Sequence, residues 1–342
     1  MTNTVEFPNL SLVFENSRVA FSVGGLEVYW YGVIVTFGII LAIIYSTYRA
    51  AQFGNDPDRL FDVAFIGIVG ALIGARLYFV IFSEKSYTII TTFTDFRNGG
   101  LAVYGGVIGG MLSALIYCRV KKMPFFPVMD IAGIALLLGQ GIGRWGNFFN
   151  QEAFGAPTAG ELPWGMTGNI IAAQPEVSAA IMDSAFSGGG AVLVHPCFLY
   201  ESVWCLIGFA VLHFFSKKFR SFDGEMILLY MMWYGTGRAV IEGFRTDSLY
   251  IGNFRVSQVL SAVLALAGLV GIIIMKRKCT ASTGYVKFSD RPETIAELER
   301  VSDEITLTEE KRSAVKALRR KTKELKQFAP ADSDDEYVSI IE

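Results

Sequence analysis

The chain has 342 residues, of which 52% are hydrophobic and only 18% charged, whereas soluble domains carry about 25% charged residues. Several mostly apolar runs of about 20 residues match a bilayer core about 30 Å thick, so the composition excludes an ordinary soluble domain and predicts an all-α polytopic membrane protein. The formal net charge of −2 says little by itself, because membrane orientation follows the division of Lys and Arg between loops.

Residues 1–26 lack the basic start and apolar core of a cleavable signal and read as a mixed segment at the membrane surface. A first span is expected over 28–48. It opens with Tyr29-Trp30-Tyr31, and Tyr29 and Trp30 suit an interfacial aromatic belt. A basic connector with Arg49 and Arg59 leads to a second span over 61–82, where Gly67, Gly70 and Gly74 form a close-packing face. Arg76 lies just past that face, at a depth where it needs an anionic partner or a polar cavity. The loop 83–98 holds Lys85, Asp95 and Arg97. The third span, 99–118, carries the GxxxG pairs Gly105/Gly109 and Gly106/Gly110, with Tyr104 beside them. Arg119, Lys121 and Lys122 form the next connector, and Pro124 and Pro127 start the fourth helix.

That helix runs into Gly139–Gly155, GQGIGRWGNFFNQEAFG, which sets Arg144, Asn147, Asn150 and Glu152 where a span should be leaving the bilayer. An Arg at membrane depth costs roughly 2.5–3.5 kcal/mol on insertion scales and marks a functional position by default. Arg144 and Asn147 are three residues apart and share a helix face, while the glycines beside them keep the helix narrow enough for a ligand or another backbone to approach.

Residues 151–194 contain no Lys or Arg. They hold Trp164 and a Gly-Gly-Gly run at 188–190. As the longest connection between spans this segment is expected to be an exposed arm with a functional role. His195-Pro196 opens a fifth span to about 215, with Tyr200 and Glu201 near its entry. Lys217, Lys218 and Arg220 follow. A sixth span over 225–243 carries Tyr234, Arg238 and Glu242, a short loop holds Arg245 and Asp247, and a seventh over 255–275 ends at Lys276-Arg277-Lys278.

Seven spans put the two ends on opposite sides. The connectors after spans one, three, five and seven carry most of the loop cations, so the N-terminus and the arm are expected outside and the tail in the cytoplasm. The same orientation gathers Tyr31, Tyr104, Arg144, Asn147, Glu152, His195, Arg238 and Glu242 toward the outer leaflet.

Two arginines from different helices suggest an anion, since guanidinium forks match phosphate oxygens. At this depth the phosphate would belong to a phospholipid headgroup. Glu152 and Glu242 can balance the arginines when no ligand is bound. The alternative is a pair of structural ion bridges, such as Arg238 with Glu242 one turn away. Asn147 offers donors and an acceptor to glycerol or phosphate oxygens. Tyr31 and Tyr104 can donate to an oxyanion, and His195 has the free pKa best suited to proton transfer. Cys118, Cys197, Cys205 and Cys279 show no disulfide or zinc spacing, and with only His195 and His213 available no metal and no cofactor is expected.

The membrane domain is expected over 1–278, with its arm at 151–194, and a charged tail over 279–342. Residues 293–328 read as a helix with Leu298, Val301 and Ile305 on one face, followed by Val315 and Leu318, and Arg312 interrupts the heptad seam. The acidic end, with Asp332, Asp334, Asp335 and Glu336, is expected to be disordered. The tail reads as a solvated appendage outside the chemistry.

Six segments carry a resemblance: Trp30-Tyr31-Gly32, GARLYFVIF at 74–82, GGLAVYGGVIGG at 99–110, GRWGNFFNQEAFG at 143–155, HPCFLYE at 195–201 and GTGRAVIEGFR at 235–245. In that order they resemble the phosphatidylglycerol–prolipoprotein diacylglyceryl transferase family, over about 30–275. The resemblance implies a bacterial plasma-membrane enzyme with seven transmembrane helices and an extracytoplasmic head. Its implied activity is transfer of the diacylglyceryl group of phosphatidylglycerol to the lipobox cysteine thiol of a preprolipoprotein, giving a thioether and releasing glycerol 1-phosphate. It implies Arg238 and Tyr31 as candidates for catalysis, and Arg144, Asn147, Glu152, Gly155 and Glu242 for the phospholipid; Tyr104 and His195 join the catalytic candidates as the groups whose own chemistry could receive the thiol proton. Well-studied members of the family carry His where this chain has Tyr104 and other members carry Tyr, so the departure puts a universal histidine base in doubt and does not imply inactivation. The expected partners are phosphatidylglycerol, the lipobox segment and the bilayer, with no nucleic acid and a monomeric enzyme. A transporter for an anionic solute is the rival reading, set against it by the lack of an internal repeat and by charges that crowd one side.

Overall fold

The computed structural model describes residues 3–83, 87, 92, 100–158, 160, 162–183, 192–246, 250–252, 254–281 and 285–328, with side chains described as far as 317. Lys85, Asp95, Arg97, the glycines at 188–190, Asp247 and the acidic end lie outside the described residues, as does the side chain of Leu318. The chain forms two compact units, Met1–Asp290 and Arg291–Glu342.

The first unit is a multi-pass membrane bundle. Its long helices are α1 (Trp30–Arg49), α2 (Pro57–Phe82), α3 (Val103–Val120), α4 (Phe125–Asn150), α7 (Cys197–Lys218), α8 (Glu225–Ile241) and α9 (Val256–Ala281). The short α5 (Asn169–Ala172) and α6 (Pro175–Met182) lie between α4 and α7. Six of the long helices are long and apolar enough to cross a membrane. The remaining one, α8, has 17 residues. α2 starts where local chemistry dictates: Asp56 Oδ1 accepts from Asp58 N at 2.9 Å, and Pro57 fills the first position, where a missing N–H costs nothing. Half of the apolar stretch of α4 is buried, against 11% in α1, α2 and α9, so α4 is the central post and the others turn apolar faces outward.

The glycine faces expected of the second and third spans meet. A Cβ on Gly74 would lie 2.4 Å from the Gly105 carbonyl oxygen, and one on Gly109 would lie 2.3 Å from that of Gly70. The two backbones are in contact, and any side chain there would force α2 and α3 apart.

Ion pairs and caps tie the helix ends at two levels. At the end where α4 begins, buried Asp130 accepts from the N–H groups of Gly224 (2.8 Å), Met226 (2.8 Å) and Ile227 (3.1 Å), satisfying the first turn of α8. Arg220 lies 3.5 Å from Asp130 and stacks 4.3 Å over the Phe53 ring. Lys276 of α9 reaches Glu225 of α8 at 3.3 Å. At the opposite level Gly155, beyond the end of α4, bridges Arg245, beyond the end of α8, and Arg255 donates to the Glu242 carbonyl.

Two basic residues differ from the sequence reading, and a third meets one of its alternatives. Arg49 and Arg220 are not free loop charges. Arg49 is fully buried, with Nη1 2.9 Å from Tyr45 Oη and 2.7 Å from His213 Nδ1, and Nη2 2.9 Å from Ser216 Oγ. Because a guanidinium only donates, His213 must present Nδ1 as an acceptor and is neutral. Arg76 meets backbone carbonyls, Thr92 O at 2.5 Å and Gly100 O at 3.1 Å, and two ring faces, Phe79 and Tyr87. Carbonyl dipoles and π faces thus serve as its polar cavity.

The all-α expectation meets its exception in the head. Strands β1 (Asn3–Phe7), β2 (Leu12–Asn16) and β6 (Thr167–Gly168) form one sheet in the order β2-β1-β6, antiparallel, with Phe7 opposite Leu12 and Val5 opposite Gly168. β3 (Val19–Val23) pairs with β4 (Leu26–Tyr29), β5 (Pro157–Thr158) with β7 (Leu193–Val194), and β8 (Tyr250–Ile251) with β9 (Phe254–Arg255). Most of these strands are too short for an alternation to stand out in sequence. Val5 and Phe7 pack with Phe148, Met166, Ile171, Val177, Val194 and Phe198 into a separate small core. The first two strands of the N-terminal segment are therefore built into the arm. Gln151, at φ 53° just after α4, fastens the two by donating to Thr4 O and Asn169 Oδ1 while accepting from Ile170 N.

The described residues of the second unit form one long helix, α10 (Pro292–Phe328).

Candidate active site

The head-proximal ends of α4, α7 and α8 bring charged side chains into one cluster. Glu201, in the second turn of α7, is its centre. Arg144 of α4 lies with Nη2 2.5 Å from Glu201 Oε1, and Arg238 of α8 with Nη1 2.9 Å from Oε2. Arg238 also reaches Glu242 Oε2 through Nη2 at 2.7 Å, and Arg245 lies 4.0 Å from the same oxygen. Tyr234 donates to Glu201 Oε1 at 3.2 Å. Both carboxylates are buried, with side chains 3% and 2% exposed, whereas Arg144 retains 22% and Arg238 15%. The guanidiniums are thus the open side of the cluster. Three cations face two anions here, an arrangement suited to an additional negative charge.

Of the residues singled out from sequence, Arg144, Arg238 and Glu242 converge as expected, and the Arg238–Glu242 bridge is present one turn apart. Glu152 does not balance an arginine. It is exposed and accepts from Asn147 Nδ2 at 2.8 Å and Asn150 Nδ2 at 3.2 Å. The acid that sequence reasoning did not assign is Glu201. A glutamate in an apolar span, one position after Tyr200 in HPCFLYE, was itself the signal: a buried acid needs a cation, and two arginines were already waiting for one.

Tyr31 lies in the first turn of α1 against α4. A Cβ on Gly146 would come within 2.7 Å of its ring, so Gly146 is the slot that receives it, between Arg144 and Asn147 in sequence. Tyr104 begins α3, with its ring centroid 6.5 Å from that of Tyr78. Both tyrosines are well exposed, and neither hydroxyl is hydrogen-bonded to a described residue. Tyr104 stands apart from the hydrogen bonds of the arginine cluster.

His195 joins β7 to α7. Its Nδ1 is 3.2 Å from Tyr200 Oη, which accepts from Trp164 Nε1 at 2.6 Å, and its ring packs 5.0 Å from Phe244. Burial holds its pKa below the ordinary histidine value, so the ring is a neutral imidazole at pH 7. Gly155 lies against this residue: its N–H donates to the His195 carbonyl at 2.8 Å, and an added Cβ would be 2.8 Å from both His195 Cβ and the Phe244 carbonyl oxygen. The glycine lets two loops touch; it offers a ligand no side chain.

The geometry meets a matching set of relatives. The family model for prolipoprotein diacylglyceryl transferase matches residues 18–274. The chain is 40% identical over 273 residues to a phosphatidylglycerol–prolipoprotein diacylglyceryl transferase of Thermotoga maritima, covering 78% of this chain and 89% of that protein. It is 38% identical over 266 residues to the like-named protein of Finegoldia magna (78% and 98%), and 40% identical over 266 residues to that of Enterococcus faecalis (76% and 91%).

Proposed function

The chain belongs to the prolipoprotein diacylglyceryl transferase family, and from that premise we propose how its own residues carry the reaction. It is an enzyme that moves the diacylglyceryl group of phosphatidylglycerol to the lipobox cysteine of a preprolipoprotein. The transporter alternative finds no support in this kinship. The observation that carries the site assignment is the pair Arg144 and Arg238, drawn from two helices onto one buried carboxylate with their outer edges open.

In the reaction the thiol sulfur attacks the glycerol carbon that bears the phosphate. The carbon–oxygen bond breaks, the bonding pair leaves with glycerol 1-phosphate, and the thiol proton passes to a base or to water. Charge gathers on the leaving phosphate. Arg144 and Arg238 stabilise it with donors already fixed in place, which is where a preorganised site gains most over water. Glu201 and Glu242 hold the two guanidiniums in register. Asn147, oriented by Glu152, takes the glycerol or phosphate oxygens. The same positive field favours the thiolate of an incoming cysteine, whose free pKa is near 8.5, so a strong base is not required. His195, neutral and near the head surface, receives the proton, with Tyr104 or Tyr31 the other candidates. Gly155 keeps the His195 loop closed on the loop after α8.

The fold supports seven crossings oriented with the head outside. α8 has only 17 residues, about 25 Å of helix, yet its start is capped by Asp130 at one level and its end is bridged to Gly155 at the other. It therefore runs alongside α4 from the level of Asp130 to the head. The head, with the N-terminus, is extracytoplasmic in a bacterial plasma membrane, and the tail is cytoplasmic. Lys121, Lys122, Lys217, Lys218 and the 276–278 triplet mark the inner side.

The test is to incubate the purified protein with phosphatidylglycerol and a lipobox peptide. A diacylglyceryl mass gain on the cysteine with stoichiometric glycerol 1-phosphate is expected. No modification, together with uptake of an anionic solute into vesicles, would return the transporter reading.

A further inference from the structure

The second unit carries a charge pattern that the membrane chemistry does not use. α10 is continuous over 37 residues. Residues 293–310 hold seven acidic residues against one basic, and residues 311–327 hold eight basic against one acidic. A helix that only solvated itself would interleave its signs at i and i+4. Segregation leaves each half with a surplus that something beyond that half must neutralise. Apolar residues recur at heptad spacing through Leu298, Val301, Ile305 and Val315. Ile305 is 46% exposed and Val315 48%, so the seam is open on both sides of the boundary between acid and base.

We propose that α10 is a self-association element that pairs antiparallel with α10 of a second copy of this chain. The residues flanking the seam decide the orientation. With Leu298, Ile305 and Arg312 at heptad position a and Val301, Thr308 and Val315 at d, the g positions hold Glu304 and Lys311 and the e positions hold Glu309 and Lys316. A parallel pair sets g of one helix beside the following e of the other. That would put Glu304 beside Glu309 and Lys311 beside Lys316, like against like. An antiparallel pair sets g beside g and e beside e, which puts Glu304 beside Lys311 and Glu309 beside Lys316 on both flanks. The centre then falls at residue 310, with Ile305 of one copy level with Val315 of the other. Arg312, which breaks the seam of a single helix, falls level with Thr308 at the centre, where a polar pair fixes register at a cost in strength. Exposed ion pairs contribute little and are screened, so the association is weak and salt-sensitive. The monomer expected from sequence becomes one half of a two-fold pair.

The experiment uses the full chain in lipid nanodiscs or vesicles, with Cys279→Ser so that only buried native cysteines remain. Differently tagged Ile305→Cys and Val315→Cys chains are mixed and oxidised. A disulfide between the two kinds of chain is expected, with at most a trace within either kind, because same-site cysteines would be offset by roughly 15 Å along the helix. Predominant same-site disulfides would mean parallel pairing and overturn the proposal, as would no disulfide at all. In a second arm, Glu304→Lys/Glu309→Lys and Lys311→Glu/Lys316→Glu are added to both chains separately. Each is expected to reduce the mixed product at least tenfold, and a mixture of the two charge variants to restore it. Undiminished product in either charge variant alone would also overturn the proposal. Transfer activity, which uses none of these residues, reports that every variant is folded.

Discussion

Arg144 reaches Glu201 across a helix boundary, its Nη2 2.5 Å from Oε1, and that carboxylate is buried while the guanidinium is not. On the proposed reading Glu201 is the counter-ion that holds the phosphate ligand's place between substrates. Glu201→Gln keeps the shape and removes the charge, leaving Arg144 without its acid beside an Arg238 that keeps Glu242. Removing one partner of a buried pair costs about 3–5 kcal/mol, so the variant should melt well below the parent in detergent without phosphatidylglycerol. Anionic lipid should then restore more stability to the variant than it adds to the parent. Equal lipid-induced shifts in Tm would remove Glu201 from the counter-ion role.

Arg238 is the more demanding of the two arginines, because its two nitrogens serve different acids, Glu201 at 2.9 Å and Glu242 at 2.7 Å. A lysine supplies the charge without the fork. Arg238→Lys should therefore lose about 100- to 1,000-fold in kcat, the scale of losing one oriented donor to a developing oxyanion, while phosphatidylglycerol still binds. Transfer rates with labelled lipid, set beside a binding isotherm, separate the two. A variant with normal kcat and weakened binding would make Arg238 a headgroup anchor alone.

The helices, their order and the gathering of charges at one end of the bundle were legible because each rests on a one-dimensional rule. Apolar length gives a span, GxxxG gives the α2–α3 contact, and an Arg at depth gives a candidate site. What was not legible depends on partners far apart in sequence. Glu201 looked like one more residue at a helix entry until Arg144 and Arg238 were brought to it. Arg49 and Arg220 sat among loop cations and proved buried, since nothing local distinguishes a charge facing water from one facing His213 or Asp130. Strand β1 finds its second partner at Gly168, across four membrane helices, beyond any local pattern.

Two glycines separate steric from chemical roles. A Cβ on Gly155 would be 2.8 Å from the Phe244 carbonyl oxygen, which is backbone and cannot swing away. Gly155→Ala should cost about 1–3 kcal/mol and loosen the loop that holds His195, lowering activity and Tm together. At Gly143 an added Cβ meets only Val35 Cγ2 at 3.9 Å. Gly143→Ala, one residue from Arg144, should therefore leave both nearly unchanged. A damaging Gly143→Ala with a silent Gly155→Ala would reverse this account.

Burial lowers the pKa of His195, and the sign of the consequence follows. The unfolded chain takes up this proton near pH 6.5 while the folded protein still resists it. The stability gained from a neutral His195 is present above that pH and is lost as pH falls through the window below it. Tm should decline more steeply below pH 6.5 in the parent than in His195→Gln. If His195 is the proton acceptor, the acid limb of kcat/KM should lie below pH 6.5 and disappear in the variant. An unchanged acid limb in His195→Gln would shift the proton to Tyr104, Tyr31 or water.

Asp130 makes the opposite level of the bundle testable. It is fully buried, accepts from three N–H groups at the start of α8, and faces Arg220. Asp130→Ala strips the cap and removes one carboxylate from a buried guanidinium that keeps Asp223 as a partner, and the second loss is the larger: up to about 3 kcal/mol against about 1 kcal/mol for a cap. Asp130→Asn keeps an acceptor for the cap but not the charge, so it should recover only the smaller part. Since α8 carries Arg238 at its other end, a slipped start should also misalign Arg238 against Glu201. Both variants should therefore lose activity in the same order as they lose Tm, although Asp130 lies about 21 Å of helix from Arg144. An Asp130→Ala enzyme with parental kcat would mean that α8 is held by its head contacts alone.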